Sequence, residues 1–472
     1  MTYQESANDS LVEKNLTKII NKENKGTGNI PEIKTYPRRW VMLVLFIFYA
    51  ACTAFQWIQY SIVTNIIMTY YGVSANSVDW TSMTFMLYYV PLVFLASHLT
   101  DRAGLRWTAI LGCCVNCIGA WIKVFSVERD RFWLTFIGQS FVATTQVVVL
   151  PMPGRLAAHW FGANEVSTAT SLGIFGSQLG IALGFVLTPI VVRKHENLDD
   201  IGVDLSKLFW GVAIISTIAT ILVIIFFQEE PKLSPSQTRA LQKATRSENK
   251  EGFVEPMKRL FRNKCFLILC NSYGMNIGVL NAIATLLNQI ILLHFKNAER
   301  DAGWIGLSII VTGMFGAVTF GVILDKTHKF KATAVIVYFL TLCGQICFAV
   351  ALWVGIKWMV YVAASFLGFF MSGYLALGYD LCAEYTYPEA EGISTGILNV
   401  ANNIYGVLLV LIFGKLMDTY GDMAVHIGCC IALLAGLIMT IFTKDVQRRQ
   451  DTRNAVTYKG VLTAECKDSD KK

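Results

Sequence analysis

Twelve long apolar runs, parted by short polar stretches, decide what this chain can fold into. They fall at roughly residues 40–70, 78–99, 107–127, 132–154, 164–192, 206–227, 266–294, 303–324, 333–355, 358–384, 392–417 and 423–443. A helix crossing a bilayer needs about 20 apolar residues, and each run supplies them. Lipid satisfies no backbone group, so runs of this length are helices. Hydrophobic residues make up 54% of the 472 and charged residues 15%, too little charge to cover a soluble globule of this length. The expected fold class is an all-α membrane protein with twelve transmembrane helices. The first 38 or so residues have no apolar core and no small-residue cleavage site, so no cleaved signal peptide is expected.

The longest polar interior stretch splits these runs six and six. This gives a polar tail at 1–38, expected to be disordered and cytoplasmic, a bundle at 39–228, a cytoplasmic linker at 229–264, a second bundle at 265–443 and a polar tail at 444–472. Basic residues set the orientation. Arg38, Arg39, Arg102, Arg106, Arg155, Lys326, Lys329, Lys331, Lys444 and the lysines and arginines of 228–264 all fall on one side of a twelve-span chain. Both termini are therefore expected in the cytoplasm, and the sequons at Asn8 and Asn15 read as chance. The same topology accounts for the net charge of +7 without a nucleic-acid partner.

No Walker A loop, HExxH or zinc-ligand spacing is present, which weighs against an ATP-driven pump or a metalloprotease. No enzyme, no cofactor and no metal site are expected. The cysteines within the apolar runs, such as Cys52, Cys113 and Cys429, read as small buried hydrophobes.

The halves echo each other. "SHLTDRAGLR" follows span two and "GVILDKTHK" follows span eight, each placing an acid-base pair, Asp101-Arg102 and Asp325-Lys326, four residues after a small one. The acid is expected at the N-terminus of a neighbouring span, where the helix dipole favours it. Asp101, Arg102, Arg106, Arg155, Asp325, Lys326 and Glu384 are the candidate gating residues. Glu384, Glu389 and Glu391 are expected to latch the bundles through Arg155 or Arg102. This pattern resembles the short-loop motif of the major facilitator superfamily. The resemblance implies two six-helix bundles, a central site and alternating access.

Span midpoints give depth. Trp57, Gln146, Gln178, Asn281, Asn402 and Asn403 fall near the middle of five runs, with Tyr88 and Tyr89 in the middle of a sixth. A polar group in hydrocarbon is costly unless it faces partners or a wet cavity, and so many at one depth point to a shared cavity. Gln56 and Tyr60 of "FQWIQY" join this set. Gln178 is the doubtful member, because Gly176, Gly180 and Gly184 around it read as a helix-packing face. No Asp or Glu falls at mid-depth. Asp79 lies near the outer end, and Lys123 is expected to snorkel to the outer surface. Proton coupling through the centre is therefore disfavoured. A neutral aromatic and amide-lined site suits a small amine-alcohol, whose ammonium an indole face attracts.

Three stretches carry a narrower resemblance: "FQWIQYSIVTNIIMTYYGVSANSVDW", "MPGRLAAHWFGANEVSTA" and "EYTYPEAEGISTGILN". By these the chain resembles the feline leukaemia virus subgroup C receptor (FLVCR) family, carriers of choline and ethanolamine and proposed haem exporters. The resemblance implies a site on Trp57 and Gln146. At two further positions the chain departs from it, with Asn281 where the family has Tyr and Asn403 where it has Gln. Tyr60, Tyr88 or Tyr273 could supply the second aromatic wall. The leading reading is a facilitative carrier of choline or ethanolamine, monomeric, in the plasma membrane. Haem export is the alternative, with Cys343, Cys347 and Met371 as its ligand candidates. A non-transporting receptor or sensor is the reading from another class, against which the short outer loops speak.

Overall fold

The computed structural model describes residues 34–162, 165–231, 233–235, 254–327, 329–387, 389 and 391–444. Asn8, Asn15, His328, most of the basic linker and the tail beyond Lys444 lie outside the described residues, as do the side chains of Asp101, Asp325 and Glu391.

Twelve helices are long and apolar enough to cross a membrane. In chain order the spans are Arg38–Tyr71, Ala75–Thr100, Arg102–Val124, Phe132–Val149, Thr168–Val191, Leu198–Phe226, Lys264–His294, Glu299–Leu324, Phe330–Val354, Lys357–Thr386, Gly392–Tyr420 and Asp422–Phe442. The outward surface of the molecule is apolar, with Ile214, Ile218, Phe315 and Ile431 exposed, as a lipid-facing belt requires. An even number of crossings puts both described ends on one face, called here the terminal face.

Span one is not one helix. An α-helix covers Arg38–Ile58, a single 3₁₀ turn covers Ser61–Val63 and a second α-helix covers Thr64–Tyr71. Spans two and three run on from each other across Gly104, whose φ of 85° only glycine adopts without strain. The acid at the N-terminus of span three is Glu229, from the stretch after span six. Its two oxygens accept from the backbone N–H groups of Leu105 and Arg106 at 2.8 and 2.7 Å. This satisfies orphan donors of the first turn and places negative charge at the positive end of the helix.

Spans one and five cross closely. A Cβ built on Gly176 would meet Ile47, on Gly180 the Ala51 backbone, and on Gly184 Ile58. The stripe reads as helix packing, as expected. Span seven packs against eleven in the same manner, with Gly274 and Gly278 leaving room for Tyr405. Two short helices were not expected: Met152–Trp160 after span four and the amphipathic Val254–Arg262 before span seven.

Spans one to six and seven to twelve meet differently at their two ends. Towards the face opposite the termini the ties are polar. The Asn288 amide donates to Ile62 O at 2.7 Å and its oxygen accepts from Asn65 N at 3.4 Å. Asn65 Nδ2 donates to Glu299 at 2.9 Å, and Gln289 Nε2 donates to both Asp79 oxygens at 2.9 and 3.1 Å. Phe185 and Pro189 of span five sit against Gly303 of span eight. Towards the terminal face Val400 of span eleven packs against the cluster of Tyr89, Val93, Ala96 and Val147, and the Asn399 side chain hydrogen-bonds to Tyr89.

Candidate functional site

The layer between these two closures holds most of the polar set that the sequence singles out. Trp57, Tyr88, Gln146, Asn281, Asn402 and Asn403 are all half-buried. Trp57 packs beside Phe85, Val142 and Ala143 with Tyr88 as neighbour, so spans one, two and four build its wall. Its carbonyl, freed by the break in span one, accepts from the Ser82 hydroxyl at 3.1 Å. Gln146 stands on span four, and its Oε1 accepts no hydrogen bond among the described residues.

On the other side, Asn281 donates to the Asn402 oxygen at 3.2 Å. Asn403 turns its NH₂ to its own helix, donating to Asn399 O at 2.8 Å, and the Asn399 side chain accepts from the Tyr379 hydroxyl at 3.0 Å. A residue the sequence reading missed closes this layer. Met86 of span two seats its sulfur where a Cβ on Gly406 of span eleven would be, beside the Asn281 amide. An unbranched methionine facing a helix glycine gives no signal in the sequence beyond ordinary apolar packing.

Three expectations need correcting. Gln56 is fully buried within the first six spans, where it donates to Asn116 Oδ1 at 3.0 Å and Cys52 O at 3.1 Å. Tyr60 is equally buried, its ring 5.9 Å from that of Phe209 in span six. Both point away from the opposing bundle because helix periodicity turns residues 56 and 57 by about 100° from each other, and the break then re-aims residue 60. Lys123 does not snorkel. It is 1% exposed and donates to Gln56 Oε1 at 2.6 Å and Gln139 Oε1 at 2.9 Å. Two amide oxygens accept from the amino group internally, which removes the need to reach water.

Of the expected latch, the described side chains show only part. Glu389 pairs with Arg259, from the short helix before span seven, making a second contact at 3.1 Å within its own half. Arg155 donates to Ser97 at 2.8 Å, again within one half. Arg102 is exposed and Glu384 is buried. Tyr273 is buried in tilted ring contact with Tyr374 and Tyr379, so it supplies no second wall for the layer. The haem ligands considered in the sequence do not converge: Met371 is in the core and Cys347 is exposed. No group of three or more His, Cys, Asp or Glu that could hold a metal occurs among the described residues.

The layer can therefore offer one indole face, one unengaged amide oxygen and a pair of asparagines bonded to each other. That suits a small solute with a cationic head and a hydrogen-bonding end.

Comparison with known proteins gives the same direction. A family model described as Major Facilitator Superfamily matches residues 41–409. The choline/ethanolamine transporter flvcr2b of Danio rerio is 42% identical over 431 residues, covering 91% of this chain and 88% of that protein. The choline/ethanolamine transporter FLVCR2 of Homo sapiens is 41% identical over 446 residues, covering 94% and 84%. Among solved structures, a bacterial homologue of the human lysosomal transporter Spinster, inward-facing and unoccupied, aligns with a TM-score of 0.62 at 14% identity, covering 87% of this chain and 96% of that one. The E. coli fucose:proton symporter FucP aligns with a TM-score of 0.58 at 12% identity, covering 87% and 99%. These two share the fold.

Proposed function

Because the chain belongs to the major facilitator superfamily, and within it to the family of the choline/ethanolamine transporters FLVCR1 and FLVCR2, we propose that it is a facilitative, alternating-access carrier of choline or ethanolamine. The observation that carries this reading is Trp57, half-buried beside Phe85 and Tyr88 in the layer where the two halves meet. A desolvated ammonium over an indole face gains roughly 2 kcal/mol. In this reading Gln146 Oε1 accepts from the hydroxyl or the amine, and Asn281, Asn402 and Asn403 complete the wall. The reading draws on chemistry the layer holds, with neutral amides and aromatics in place of a central Arg or Lys that an anionic solute would need.

In the same reading the terminal face is cytoplasmic and the membrane is the plasma membrane. Asp101, Arg102, Arg106, Arg155, Asp325, Lys326 and Glu384, all towards that face, govern its opening. The monomer suffices for transport, since the site lies between two halves of one chain.

The test is uptake of labelled choline, ethanolamine and haem by vesicles holding the purified protein. Choline or ethanolamine is expected to enter and haem is not. Trp57→Ala is expected to raise the apparent KM for choline about 30-fold, the equivalent of roughly 2 kcal/mol. A variant that carries choline as the parent does would sink the indole's role.

A further inference from the structure

We propose that Lys123 is a positioning residue for Trp57: its amino group, acting through the carboxamides of Gln56 and Gln139, holds the break in span one that presents the indole to the solute. This rests on the reading of Trp57 as the ammonium-binding wall.

The geometry is a closed set of bonds inside the first six spans. Lys123 Nζ donates to Gln56 Oε1 at 2.6 Å and to Gln139 Oε1 at 2.9 Å, and lies 5.9 Å from the centre of the Tyr60 ring. Among the described residues its partners are amide oxygens and a ring, with no carboxylate. With both oxygens on the amino group, both NH₂ groups must face outward. Gln56 Nε2 reaches Asn116 Oδ1, and Asn116 continues to Ser216. Gln139 Nε2 reaches the Gln56 carbonyl at 3.0 Å and the Thr81 carbonyl at 3.3 Å.

The Gln56 carbonyl belongs to the last turn of the helix Arg38–Ile58. Helix ends leave carbonyls without intrahelical partners, and in a bilayer nothing else supplies them. Gln139 takes one such carbonyl and Ser82 takes the next, at Trp57. The lysine thus fixes which way two glutamine amides face, beside the end of the helix that bears Trp57.

The chain makes room for it. A Cβ built on Gly138 would strike the Lys123 stem, and Gly119 and Gly138 bring spans three and four together beside it. A buried amino group needs hydrogen-bond acceptors, and Gln56 and Gln139 supply them. Two bland accounts compete. In one the lysine merely stabilises the bundle. In the other its charge repels a cationic solute, and its loss would tighten binding.

The experiment is a double-mutant cycle on choline uptake in vesicles, with rates divided by the amount of folded protein. Lys123→Met keeps the stem and removes the amino group. The expected result is an apparent KM at least tenfold higher, with a maximal rate within twofold of the parent. Trp57→Ala combined with Lys123→Met is expected within twofold of Trp57→Ala alone, because both losses act through one indole. An unchanged or lower KM in Lys123→Met, or losses that multiply in the double variant, overturns the proposal. If Lys123→Met does not fold, Gln139→Leu takes its place, with the same rise and the same lack of additivity expected and a parent-like KM overturning it. A parent-like KM in Trp57→Ala overturns this proposal together with the site reading. A defect in Trp57→Ala beside a parent-like Lys123→Met overturns this proposal alone.

Discussion

At the scale of single residues, the informative contrast is between amides that already have partners and one that does not. Gln56 and Gln139 spend both ends of their carboxamides inside the protein. Gln146 leaves its Oε1 without a donor among the described residues. A hydrogen bond to a solute is therefore open to Gln146 alone among these three. Gln146→Ala is expected to raise the KM for choline or ethanolamine about fivefold, the equivalent of roughly 1 kcal/mol. Its thermal midpoint in detergent should match the parent's within a degree or two, since the Oε1 gives up no internal bond. A midpoint that falls with the KM would mark Gln146 as structural. Depth is legible in the sequence, because it follows from the midpoints of apolar runs, and it puts Trp57, Gln146 and Asn281 in one layer. Direction around the helix is not. Gln56 is next to Trp57 in sequence and faces its own bundle, and Lys123 gave no sign that Gln56 and Gln139 would solvate it from two other spans.

At the scale of elements, the spans owe their contacts to small residues more than to charge. Hydrophobic burial drives little association between helices already in lipid, so close backbone approach and dispersion must do it. Gly180 shows the demand, since any side chain there would enter the Ala51 backbone. Gly180→Leu is expected to lower stability by about 1–3 kcal/mol or more. A melting curve in detergent should show a midpoint several degrees below the parent's, and an unchanged midpoint would mean that spans one and five do not rely on that crossing. The twelve spans and this glycine stripe could be read from apolar length and a four-residue repeat. The interruption at residues 59 to 63 could not, because Gln59, Tyr60 and Ser61 lie in a stretch that is apolar enough to continue as helix. It is the carbonyl bonds from Gln139 and Ser82, set by other spans, that let the helix stop there.

At the scale of the whole molecule, asparagine and glutamine ties cross the inter-bundle seam on the face opposite the termini. Each tie contributes on the order of 1 kcal/mol, a size that shifts a two-state balance several-fold. Asn288→Ala removes the bonds to Ile62 O and Asn65 N together, and is expected to raise the fraction of molecules open on that face. A cysteine placed at Ile62 should then react with a water-soluble maleimide several-fold faster than in the Asn288-containing background. Equal labelling rates would show that these bonds do not hold the face shut. None of the ties on that face involves the residues assigned to the solute. They are as strong in an empty protein as in a loaded one, so both must break the same bonds to open that face. Loosening them should therefore quicken net entry and one-for-one exchange of solute alike.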